Sequence, residues 1–76
     1  MTKVEFFSEL EVILELERGT IKGNEVLADL PGWDSMALLS FITFAHSTFE
    51  EAVAPRALVA CKTVDDLANL FPTKVI

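Results

Sequence analysis

Cysteine and histidine are nearly missing from these 76 residues: Cys61 and His46 occur once each. With one thiol no internal disulfide can form, and there is no Cys-x-x-Cys redox or metal motif. One cysteine and one histidine also fall short of the ligand set of a Cys/His zinc site. Basic residues are scarce as well, six against twelve acidic ones, giving a formal net charge of −6 and a pI near 4.5. Nucleic acid and anionic membranes select Lys/Arg patches, so composition argues against both as partners. Long uncharged runs are lacking too. The longest, residues 35–49, is too short for a membrane span and carries Ser and Thr throughout. Lys3, Glu5 and Glu9 interrupt the apolar residues at the N-terminus, so nothing there resembles a secretion signal. The expectation is a soluble protein of a reducing compartment, the cytoplasm.

What the chain does have is apolar side chains, 51% of its residues. That is too many for a disordered acidic tail. A chain of this length forms one domain, residues 1–76, and folding buries only about 60% of its unfolded surface. There is room for one small core and none for a deep, walled catalytic cavity. An acidic surface suits solubility, or docking on a basic partner protein, and a monomer is the simplest expectation.

Periodicity predicts an all-α protein: a small bundle of three main helices plus one short one, with a long loop between helices one and two. Thr2 followed by Glu5 is a capping-box pattern. Phe6, Phe7, Leu10, Ile13 and Leu14 then fall at helical spacing. The first helix is predicted over Lys3–Arg18, stopped by Gly19, with its acidic residues on a solvated face. Gly19, Gly23, Asn24, Pro31 and Gly32 break up the next stretch, which allows one short turn near Glu25–Ala28. So long a connection in so small a domain tends to be functional.

Asp34 is a good N-cap for a second helix that starts at Ser35, and Trp33 with Leu38 occupy the positions of a hydrophobic staple. Leu38, Phe41, Ile42, Ala45 and Phe49 form the predicted core stripe, with Met36, Ser40, Thr43 and Ser47 opposite. Leu39 and His46 lie on one shoulder, Ala37 and Phe44 on the other. Pro55 opens a short helix, Pro55–Ala60, with Leu58 and Val59 as its apolar content. Thr63 caps the last one, with Asp65 and Asp66 where the helix dipole favours negative charge. Val64, Leu67, Leu70 and Phe71 supply its inner face, and Pro72 ends it.

Gly32-Trp33-Asp34-Ser35-Met36, opening an apolar helix, resembles the Asp-Ser-Leu signature of acyl carrier proteins. The order of elements is similar too, from about Phe6 to Phe71. A long first helix and a long loop come first, then the serine at the start of helix two and Phe49 near its end. A short helix and a Thr63-Val64-Asp65-Asp66-Leu67 opening of the last helix complete the pattern. The resemblance implies that Ser35 carries 4′-phosphopantetheine, transferred from coenzyme A by a separate phosphopantetheinyl transferase. The arm's thiol would hold an acyl or aminoacyl group as a thioester. Asp34 matches the aspartate that helps the transferase bind magnesium. Helix two would be the surface read by that transferase, by an acyl-loading ligase or acyltransferase, and by downstream synthase enzymes. Trp33, Asp34, Met36, Leu39, Ser40 and Thr43 are the candidate contacts.

The chain departs from the family on helix two. Carriers of fatty-acid synthesis present acidic residues there, whereas Ser40, Thr43, His46 and Ser47 occupy that face here. A specialised carrier is therefore expected, in a lipid, polyketide or other secondary biosynthetic pathway, with a short or unusual acyl group or an amino acid as cargo. The six Phe residues can fill the core and leave little space for a long chain. Hydrolase chemistry at Ser35 is excluded. There is no Gly-x-Ser-x-Gly elbow, and His46 lies eleven residues along the same helix, roughly 16 Å away by helical rise. No catalytic triad can form. The alternative reading is an unmodified helical adaptor of the same fold that binds a partner through Met36, Leu39 and Phe44.

Overall fold

A computed structural model, covering residues 1–76, opens with Thr2 closing both halves of a capping box. Its hydroxyl accepts the Glu5 N–H at 3.2 Å, and the Glu5 carboxylate accepts the Thr2 N–H at 2.9 Å. Helix α1 follows over Lys3–Leu14. It is a full turn shorter than its spacing predicts. Glu15 takes the left-handed conformation (φ 57°), and the Leu16 N–H turns back to the Glu11 carbonyl at 2.8 Å. These reversed bonds cap the helix. Two tertiary contacts fix the early stop. Half-buried Leu16 packs back on the core, and the Glu11 carboxylate holds the backbone N–H of Ile21 at 2.8 Å.

Glu11 corrects the expectation of a fully solvated acidic face on the first helix, because it is only 4% exposed. The connection that follows is ordered by hydrogen bonds to the region around Thr63. Leu27 N–H donates to the Lys62 carbonyl at 2.8 Å, Val64 N–H to Glu25 at 3.1 Å, and Asp65 N–H to Gly23 at 2.9 Å. Val26 and Thr63 form an isolated antiparallel bridge. The short turn falls at Leu27–Asp29, a 3₁₀ turn that starts two residues later than predicted and ends one later. Its position is set by Leu27, whose side chain enters the core. Gly23 needs its missing side chain: at φ +115°, a Cβ would lie 2.8 Å from Asp65 Oδ1 and 3.0 Å from Phe7 Cζ.

Three further helices complete the all-α fold: α2 over Ser35–Phe49, α3 over Pro55–Ala60 and α4 over Val64–Ala68. Two helices are long and two short, because α4 is briefer than predicted. Beyond it the chain tightens into i→i+3 bonds, Leu70 N–H to Leu67 and Phe71 N–H to Ala68. Pro72 disfavours helical geometry at the residue before it, so the helix is over by then. Ala68 is buried in α4, and Leu70 stays on its margin. Of the apolar content of α3, Leu58 is buried while Val59 is exposed. No helix is long and apolar enough to cross a membrane.

The buried stripe of α2 is Ala37, Phe41, Ala45 and Phe49, with Leu38 and Ile42 half-buried beside it. The stripe predicted from hydropathy lies rotated from this one, toward the larger Leu38 and Ile42. Alanines at 37 and 45 are buried on the side of α2 that faces the core. All six Phe residues and Trp33 join one ring network with centroids 4.8–6.4 Å apart. Tilted and edge-on ring pairs contribute about 0.5–1.5 kcal/mol each beyond the area they bury. At the chain ends, Ile76 N–H donates to the Met1 carbonyl at 3.0 Å and Lys3 N–H to Ile76 at 3.1 Å.

Candidate functional site

Gly32 prepares the start of α2. Its positive φ (+84°) brings the loop so close to the end of α1 that a Cβ there would sit 3.2 Å from the Leu14 carbonyl. The chain then turns through Trp33, whose N–H reaches the Leu30 carbonyl at 3.3 Å. Asp34 is extended and caps the helix as its sequence predicts, with Oδ1 accepting the Ala37 N–H at 3.0 Å. Ser35 is therefore the first helical residue, and it is exposed.

The capping arithmetic leaves an unfilled place. A helix begins with four N–H groups that have no partner within it. Here the Asp34 side chain takes that of Ala37, and the N–H of Asp34 itself goes to the Gly32 carbonyl at 3.0 Å, while Leu38 N–H begins the regular ladder on the Asp34 carbonyl. The N–H groups of Ser35 and Met36 have no acceptor in the chain. Ser35 thus stands at the positive end of a 15-residue helix dipole, in the turn that carries the two free donors. An anion esterified there would be stabilised.

The predicted contact residues are largely brought together on one surface. Met36 and Leu39 are 77% and 65% exposed, and Asp34, Ser40 and Thr43 are exposed beside them. The Thr43 hydroxyl donates back to the Leu39 carbonyl at 3.0 Å. Trp33 is half-buried, its ring edge-on to Phe41 at 6.4 Å, so it belongs partly to the core. Phe44 does not join the exposed face. Its ring packs on Phe49 at 5.4 Å, Phe41 at 6.0 Å and Phe6 at 6.2 Å, because the turn of α2 that buries Phe41 and Ala45 draws position 44 inward. His46 is exposed at the far end of the helix.

A groove of about 270 Å³ lies beside Ser35, between the end of α1 (Leu14, Glu15) and the start of α2 (Asp34, Met36, Ser40). Two other grooves, of about 300 and 370 Å³, run along α1 past Glu11 and Arg18, away from the serine. Ser8 lines both, but its hydroxyl donates to the Val4 carbonyl at 3.0 Å. No three His, Cys, Asp or Glu side chains converge to hold a metal ion.

The shifted titrations lie in the scaffold. Partial burial pushes the Cys61 thiol above its ordinary value, with Asp66 adding to the effect, so it is no reactive thiolate. At Glu25, burial pushes the carboxyl upward. The N–H groups of Lys22, Gly23 and Glu25 itself outweigh that and hold it below the usual range. Reading the sequence by residue type missed Glu11 and Glu25 as the carboxylates that position the loop before Ser35. Glu11 had a signal: it sits four residues after Phe7 and three before Leu14, inside the apolar stripe. Compared with known proteins, the chain matches no family model, no curated protein and no solved structure.

Proposed function

We propose that the protein is a free-standing acyl carrier protein whose Ser35 bears a 4′-phosphopantetheine arm. Its helices would then take the arrangement of the acyl-carrier bundle, with α2 as the helix that presents the arm. The observation that carries this reading is the exposed Ser35 hydroxyl beside the unpartnered N–H groups of Ser35 and Met36. A phosphodiester formed there finds two donors and a favourable dipole at an exposed residue. Asp34 stays committed to the Ala37 N–H. Its second oxygen is the one to reach a magnesium ion brought by the transferase.

In the transfer, the Ser35 oxygen forms a bond to the pantetheine-side phosphorus of coenzyme A. The bridging phosphorus–oxygen bond breaks, adenosine bisphosphate leaves, and the serine proton passes to a base on the transferase. The arm supplies a terminal thiol that holds acyl or aminoacyl groups as thioesters. This chain's own residues supply a fixed attachment point and a face, Met36, Leu39, Ser40 and Thr43, for partner enzymes to read. Loading and condensation chemistry would reside in those partners.

Intact mass after incubation with coenzyme A and a phosphopantetheinyl transferase tests the reading. The wild type gains one arm, and Ser35→Ala gains none. A wild type left unmodified by several transferases overturns it and favours the adaptor, which would dock through Met36 and Leu39 alone.

A further inference from the structure

Trp33 lies two residues before the proposed attachment site, is half-buried, and joins the ring network of the core through Phe41. Its ring meets Phe41 edge-on at 74° and 6.4 Å. Phe41, with no exposed surface, meets Phe6, Phe44 and Phe71 at 6.0 to 6.1 Å. Resting on the carrier reading, we infer that Trp33 closes the Ser35 end of the bundle against an alkyl chain. The cargo therefore rides outside and belongs to short or polar acyl and aminoacyl groups.

Past Trp33, a chain would have to part rings packed at the density of an organic crystal. On the side of α1, the close approach of Gly32 to the Leu14 carbonyl narrows the way. The groove there is shallow and open, and beside the apolar Ile13, Leu14, Met36 and Ala37 it has Glu15 and Asp34 among its lining residues. Covering carboxylates with hydrocarbon strips their water without replacing it. Those same carboxylates tolerate the ammonium of an aminoacyl group. The two remaining grooves border the outer part of α1 and do not include any residue of α2.

The test loads the protein from acetyl- and octanoyl-coenzyme A with a phosphopantetheinyl transferase, confirms each product by intact mass, and compares methyl NMR signals of Val64 and Leu67. Both residues are fully buried in the core. The expected result is identical core methyl positions in the two wild-type forms. In Trp33→Ala, octanoyl but not acetyl loading shifts them. Octanoyl-dependent shifts in the wild type overturn the inference. Unshifted methyls in a folded Trp33→Ala remove Trp33 from the role of closure. Trp33→Leu serves where the alanine variant loses its helical circular dichroism. Absence of any mass gain in the wild type overturns the carrier reading itself, which separates that failure from this one.

Discussion

The Glu11 carboxylate accepts the backbone N–H of Ile21 across a 2.8 Å bond inside the protein. This bond sets the path of the loop that leads to Ser35, because it ties the start of the loop to α1 while Ile21 enters the core. An unpartnered buried N–H costs about 1–3 kcal/mol. Glu11→Ala is therefore expected to lower stability by about that amount, and a domain this size loses roughly 4–8 °C of Tm per kcal/mol. Glu11→Gln keeps an acceptor oxygen and should lose less. Urea unfolding of the two variants checks the order.

Gly23 and Gly19 both have positive φ, but only Gly23 is enclosed. Gly19→Ala meets nothing within 4 Å, so it bears only the left-handed backbone penalty of about 1 kcal/mol. Gly23→Ala adds the collision with Asp65 and Phe7 and is expected to cost about 2–4 kcal/mol. The difference between the two denaturation midpoints is the measurement. Equal losses would mean that the loop moves freely away from α4.

Acid should unfold the protein through its caps. Backbone and side-chain hydrogen bonds from Thr2 hold the Glu5 carboxyl below its usual range, and N–H bonds from Lys62 and Thr63 do the same for Asp66. Glu25 is lowered as well. A carboxyl with a lower pKa folded than unfolded contributes stability above its unfolded pKa. That contribution is lost as pH falls through the folded value. The urea midpoint should stay level from about pH 8 to about pH 6 and decline below about pH 5. Asp66→Asn should flatten the decline.

The exposed face of α2 bears no formal charge from Ser35 to Phe49, so partners that read it should do so by short-range apolar contact. Met36→Ala and Leu39→Ala are each expected to lower the transferase kcat/KM about five- to thirtyfold, the equivalent of about 1–2 kcal/mol. Stability should change by less than about 0.5 kcal/mol, as for other exposed sites. Raising salt from about 0.1 M to about 1 M shortens the Debye length from about 10 Å to about 3 Å. The loading rate should fall little over that range. A steep fall would place recognition on the acidic residues outside α2.

Local rules in the sequence determined where most helices begin: Thr2 with Glu5, Asp34 before Ser35, Pro55, and Thr63 with Asp66 each satisfy or dispense with N–H groups within a few residues. They also determined that Ser35 stands first on a long apolar helix, since an N-cap needs only its own neighbours. Where the helices end was decided by the tertiary structure. Glu15 turns left-handed because Leu16 and the Glu11–Ile21 bond draw the chain back onto the core, and α4 closes under packing around Ala68 and Phe71. The same holds for which side chains are covered. Hydropathy alone cannot tell Phe44 from Leu39 on the two shoulders of α2, because burial depends on where the other elements lie. Only the fold gave Glu11 an N–H partner ten residues away, and only the fold set Trp33 edge-on to Phe41 beside the serine.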